Sequence, residues 1–122
     1  MTIYLCGGMH NGWQDKAKAL LSGHEVLDPR SHGLKDERAY TEWDLWAIAK
    51  CDVVLAFMDN ANPSGFGLNL EIGYAYGIGK PICFVIEDLG YRNKYFGMAR
   101  SCASRVFDQL EDAVRRINDV AR

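Results

Sequence analysis

Two short, nearly continuous apolar runs, Val53 to Phe57 and Ile82 to Ile86, do most to limit what this chain can become. Runs of that length with no polar alternation mark strands buried on both faces. Between them a Pro63-Ser64-Gly65 turn opens a helical pattern with Leu70, Tyr74, Ala75 and Ile78 on one side. Gly79 supplies a left-handed stop, and Lys80-Pro81 blocks continuation. Strand, helix, strand is a βαβ unit, which imposes a parallel sheet and a right-handed crossing.

One residue in this unit resists a packing explanation. Glu71 falls within the first turn or so of the helix, between Leu70 and Ile72, beyond the carboxyl end of the first strand. Open α/β sheets bind ligands there. A helix N-terminus favours an ionised carboxylate, and a charged carboxylate in a partly dry cleft serves as nucleophile or base. Complementing the helix dipole is the plain alternative. Gly65, Gly67 and Gly73 crowd round Glu71 and clear space for a ligand, which favours function.

The 122 residues suit one domain, spanning 1–122, with a core that needs no staples. A formal net charge of −2 and the lack of a Lys/Arg stripe argue against a nucleic-acid polymer as partner, while a nucleoside-sized ligand is compatible. No apolar run is long enough for a membrane span, and no signal peptide precedes the first strand. Cys6, Cys51, Cys83 and Cys102 sit among apolar neighbours without a C-x-x-C pair, as small core residues in a reducing cytoplasm do. No metal or cofactor is called for.

The chain opens on a strand, Thr2 to Cys6, that runs into a flexible loop, Gly7-Gly8-Met9-His10-Asn11-Gly12. The loop is not the G-x-G-x-x-G dinucleotide pattern. Gln14 to Ser22 reads as a helix and Glu25 to Leu27 as a short strand. Asp28 to Lys35 has turn chemistry; its His32 reads as an exposed loop histidine and its Arg30 as a solvated cation. Asp36 to Lys50 is the next helix, and Asp44 sits in it among Trp43, Leu45 and Trp46. A carboxylate there finds a buried partner or faces a cleft. After the βαβ unit come a loop (Asp88 to Lys94), a short helix (Tyr95 to Cys102) and a last strand within Ser104 to Phe107. Asp108 and Glu111 read as a capping box opening a final helix with Leu110, Val114, Ile117 and Ala121 on one face.

Three segments, I-Y-L-C-G-G, W-D-L-W-A-I-A-K-C-D-V-V and G-L-N-L-E-I-G-Y-A-Y-G-I-G-K-P-I, together resemble the nucleoside 2-deoxyribosyltransferase superfamily, which includes 2'-deoxynucleoside 5'-monophosphate N-glycosidases. The resemblance implies a flavodoxin-like three-layer α/β fold with a parallel sheet of four to five strands. It implies that Glu71 is the nucleophile, that Asp44 is the acid contacting the base, and that Tyr4, at the strand end, positions the nucleophile. Gly7, Gly8, Met9 and His10 would border the base, and the turn from Ser64 through Gly65 to Gly67 would border the sugar. It implies a nucleoside or nucleotide and a free base as small-molecule partners. Tyr91, Tyr95, Phe96 and Met98 in the Asp88 to Met98 segment, with Trp43 and Trp46, are more apolar surface than a solvated protomer needs. That surplus predicts a homo-oligomer of dimer size or larger, and the family habit points the same way.

The chemistry of the residues agrees. Breaking an N-glycosidic bond develops positive charge on the sugar, which a fixed carboxylate stabilises and can trap. The departing base needs a proton, and an Asp in apolar surroundings can hold one through a raised pKa. Two departures stand out. Where the family brings a small polar residue from a neighbouring subunit, this chain has Phe96, so either Asn93 or Tyr95 replaces that contact or recognition differs. The first loop lacks the Ser and Arg of the monophosphate hydrolases, which tips the balance slightly towards nucleosides. Base exchange leads; hydrolysis of the same intermediate and a non-catalytic small-ligand sensor are the alternatives.

Overall fold

The computed structural model of the chain describes residues 1–121. Five strands, β1 (Thr2–Gly7), β2 (Glu25–Leu27), β3 (Val53–Met58), β4 (Ile82–Ile86) and β5 (Arg105–Phe107), form one all-parallel sheet in the order β2-β1-β3-β4-β5. Five helices connect and follow them: α1 (Trp13–Leu20), α2 (Glu37–Lys50), α3 (Phe66–Gly77), α4 (Gly97–Cys102) and α5 (Leu110–Val120). Both edge strands have three residues, which leaves little unpaired backbone for another chain to join.

Alternation along each strand divides the core into two layers. Tyr4 and Cys6 pack on the side of α2, α3 and α4, with Ile48, Ile72 and Phe84. Ile3 and Leu5 pack on the side of α1 and α5, with Ala17, Leu21, Val114 and Ile117. This is the flavodoxin-like arrangement expected from the sequence. Its strand order reverses between β1 and β3, and the crevice above that point is where such sheets hold ligands.

Several local expectations change. The buried stripe of α3 is Leu68, Ile72 and Ala75, while Leu70 (64 % exposed), Tyr74 and Ile78 face outward. A helix apolar all round does not determine its own phase from spacing alone. Because α3 starts at Phe66, Glu71 lies in its second turn. Gly79 does adopt a left-handed φ of 81°, and the Lys80 amide turns back to the Ala75 carbonyl. The expected capping box does not form: Gln109 is the N-cap of α5 and contributes no side-chain cap. Glu111 instead reaches Lys16 on α1 at 3.0 Å. Ala121 lies exposed just past the end of α5, and Ala113 takes its place on the buried face. Residues 90–96 wind as 3-10 turns before the shorter α4, so the helix expected from Tyr95 begins at Gly97.

Candidate active site

Three elements bring the site together. Tyr4 lies in the middle of β1, fully buried, and its hydroxyl donates to Glu71 Oε1 at 2.6 Å. The strand-end position expected for it is therefore corrected by a few residues. Two positions along, on the same side of β1, the Cys6 thiol also lies against Glu71 and donates to the Leu68 carbonyl at 3.9 Å. Asp44 approaches from α2, and its carboxyl and that of Glu71 are within hydrogen-bonding reach.

Burial dominates the electrostatics. It pushes Glu71 up to about 7, opposed by the Tyr4 hydrogen bond and reinforced by the charge of Asp44. Asp44 is raised for the same first reason, with the Glu71 hydrogen bond and His32 pulling the other way. Tyr4 and Cys6 are pushed well above their ordinary ranges, first by burial and then by Glu71. The sequence placed a charged Glu71 under a helix dipole. In the second turn that influence has faded, and desolvation acts in the opposite sense. Burial, with the Asp44 charge beside it, favours a proton on Glu71 towards neutral pH.

His32 is not the exposed loop residue expected. Its side chain is 11 % exposed, it sits edge-on to Trp43 at 4.9 Å, and its Nε2 is 3.4 Å from Asp44 Oδ1. Arg30 is no free cation either: it binds Asp28 at 2.8 Å and Asp15 at 2.7 Å, while Lys18 adds a third contact to Asp28. That cluster tethers the loop after β2 to α1.

The loop after β1 is more constrained than its glycines suggest. The Gly8 carbonyl accepts from Trp13 Nε1 at 3.0 Å and from Gln14 Nε2 at 2.9 Å. Asn11 accepts the Trp13 amide and donates to Asp59 at the end of β3. Gly7 is half-buried, with the Phe57 carbonyl 2.5 Å from where a Cβ would stand, whereas Met9 and His10 project outward. Ser64 is exposed in the turn before α3, and Gly67, expected in that turn, is the second residue of α3 with open space beside it. Gly65 has a different reason to be glycine. It is buried at φ 80°, and an added Cβ would stand 2.7 Å from Phe96.

Phe96 is 1 % exposed and belongs to the protein's own core, so it does not reach out towards a neighbour. Asn93 is held internally: its carbonyl accepts the Leu89 amide at 2.8 Å and its amide donates to Asp88 at 2.7 Å. Arg92, which sequence reasoning passed over, donates to the Asn62 carbonyl at 2.8 Å and ties this loop to the turn before α3. Cys6 was legible in principle, because it shares Tyr4's side of a strand. His32 was not, since its contact crosses from a loop to a helix.

A flavodoxin-like domain with a Tyr-supported pair of partly buried carboxyls beside β1 is thus defined. The profile of the family described as "Nucleoside 2-deoxyribosyltransferase like" matches residues 1–89, and the chain belongs to that family. Similar solved structures include a 2-deoxyribosyltransferase from Bacillus psychrosaccharolyticus, at 24 % identity and TM-score 0.76 over 93 % of this chain and 90 % of that one. A second, from Leishmania mexicana, has 22 % identity and TM-score 0.77 over 97 % of each chain. The Clostridium botulinum CMP N-glycosidase has 19 % identity and TM-score 0.64 over 97 % of this chain and 98 % of that one. No curated protein sequence gives a significant match. Family membership marks the chain as an enzyme of N-glycosidic bonds. No helix among the described residues is long and apolar enough to cross a membrane.

Proposed function

We propose that the protein exchanges the base of a 2'-deoxynucleoside through a covalent glycosyl-Glu71 intermediate. The observation that carries this reading is Glu71 Oε1 held by the Tyr4 hydroxyl at 2.6 Å with Asp44 alongside. Two like carboxyls with different partners suit a division into nucleophile and acid.

In the reactive form Glu71 is ionised and Asp44 carries the shared proton. A Glu71 oxygen attacks C1' as the C1'–N bond breaks. The bonding pair leaves with the base, whose nitrogen takes the Asp44 proton. A second base then attacks C1', Glu71 departs as carboxylate, and Asp44 recovers a proton from the incoming N–H. Tyr4 keeps one Glu71 oxygen fixed and leaves the other for attack. Gly7, Gly8, Met9 and His10 border the base, and Ser64 to Gly67 the sugar. Hydrolysis is the same path with water in the second step; the partial exposure of Asp44 and Glu71 leaves that route open.

The functional unit in this reading is a homo-oligomer. Phe66 (81 % exposed), Leu70 and Tyr76 on α3 lie outward with Tyr91, Tyr95 and Met98 (86 % exposed), more apolar surface than a solvated protomer needs. A reducing cytoplasm and a role in nucleotide salvage belong to the same reading, with four free cysteines in support.

The test is incubation with a 2'-deoxynucleoside, with and without a second free base, followed by product separation and intact-mass analysis for a glycosyl adduct. Exchange product plus an adduct that disappears in Glu71→Gln supports the reading. Free sugar alone makes the protein a hydrolase, and binding without products makes it a sensor.

A further inference from the structure

We propose that His32 is the positioning residue of the general acid, its Nε2–H held facing Asp44 Oδ1 so that it steadies the carboxylate that Asp44 becomes on protonating the departing base. This rests on the acid role of Asp44 given above.

The lock is local. Leu34 donates its backbone N–H to His32 Nδ1 at 2.9 Å, so that nitrogen must present its lone pair. In a neutral ring the proton is then on Nε2. Gly33, at φ 62°, turns the chain so that the amide two residues on reaches back to the ring. Trp43 packs edge-on and sets the ring plane. An imidazolium would set a second N–H against the Leu34 N–H. His32 is therefore a fixed donor and not a proton shuttle.

Asp44 needs such a donor. Its Oδ1 is buried and makes no well-aligned hydrogen bond among the described residues. The titratable groups around it are Glu71 from α3, Tyr4 and Cys6 from β1, and His32 from the loop after β2. Tyr4 is committed to Glu71 and Cys6 to the Leu68 carbonyl, which leaves the imidazole to serve Asp44. At 3.4 Å the contact is loose for a hydrogen bond. It tightens as negative charge grows on Asp44, so it stabilises the transition state more than the resting enzyme. No proton leaves His32 in the step: Asp44 gives its own proton to the base, and His32 only holds the resulting anion.

Three forms of the protein decide the matter: wild type, His32→Leu and His32→Gln. Nitrogen-15 NMR of the wild type is expected to show Nε2 protonated and Nδ1 bare at neutral pH. Carbon-13 carboxyl titration is expected to show Asp44 binding its proton about tenfold more tightly in His32→Leu, with His32→Gln near wild type because its amide restores a donor. Turnover in His32→Leu falls about 10- to 100-fold with KM nearly unchanged, its alkaline pH limb moves upward, and His32→Gln recovers most of the loss. A proton on Nδ1, an Asp44 titration unmoved in His32→Leu, or His32→Gln as impaired as His32→Leu each overturns the proposal. The two NMR readouts need no substrate. If no form turns over a nucleoside while the titrations behave as expected, the contact stands and the enzymatic reading fails.

Discussion

The two faces of the sheet are built from the same strands yet follow different rules. On the α1 and α5 side, Ile3 and Leu5 meet Ala17, Leu21, Val114 and Ile117, an ordinary apolar seam. On the α2 and α3 side, β1 contributes Tyr4 and Cys6, and two carboxyls press in from the helices. Tyr4 is matched by Glu71 and Cys6 by Leu68, while Asp44 lies beside His32 and Glu71 with its Oδ1 short of a well-aligned hydrogen bond among the described residues. One face supports the fold. The other gives up some burial to keep acids close together and partly dry, the kind of place where function is found.

The sharpest way to break this comparison is to remove the acids. Glu71→Ala is expected to lower exchange and cleavage by about 10³-fold or more, since the covalent path is lost. Near-normal turnover there would reject Glu71 as nucleophile. Asp44→Asn is expected to cost about 10²-fold on ordinary bases, and much less on a substrate whose leaving group needs no proton. Equal losses on both would leave Asp44 as a positioning group only.

A smaller effect tests the apolar surplus beside the site. Leu70→Arg places charge on the outward stripe of α3 without touching Leu68, Ile72 or Ala75. The expected outcome in sedimentation is a shift to monomer, with activity reduced about 10-fold. A wild type that sediments as a fully active monomer would remove the shared-surface reading.

The site's stability signature separates the two faces as well. Glu71 binds a proton more tightly folded than unfolded, because burial raises it to about 7. Between the ordinary carboxyl range and about 7 the folded state holds more protons, so stability falls as pH rises through that window. Glu71→Gln keeps an acceptor for Tyr4 and removes the buried charge. It is expected to stabilise the protein by roughly 2 kcal/mol at pH 8 and hardly at all at pH 4, measured by urea unfolding at both. Equal gains at both would place the cause outside ionisation.

Sequence reasoning carried the framework because strands buried on both faces leave a strong mark: β4 falls where expected and β3 within a residue, and the half-exposed edge strand β2 also matches its expected bounds. Asp44 and Glu71 stood out because each broke a local rule, Tyr4 entered only through the family resemblance, and the structure brings all three together. What was lost is what spacing cannot encode. The phase of α3 failed because Phe66, Leu68, Leu70 and Ile72 are all apolar, so partners decide which face is buried. His32 and Arg30 were misjudged because the partners that bury them lie on other elements. Phe96 looked like a site departure, yet it fills the space that Gly65 leaves.

The smallest expected effect belongs to the other face and serves as its control. Lys16 on α1 pairs with Glu111 on α5 at 3.0 Å, and both side chains are about half exposed. Ion pairs in such positions are screened by water and salt, and holding two long side chains in register costs entropy. Lys16 also lies on the α1 side of the sheet, across β1 from the carboxyl pair. Lys16→Ala is therefore expected to leave turnover, its pH profile and the melting temperature within error of wild type. A change in the pH profile would mean that charge on the α1 and α5 side reaches Glu71 and Asp44 through the sheet. The division between a structural face and a chemical face would then be wrong at its root.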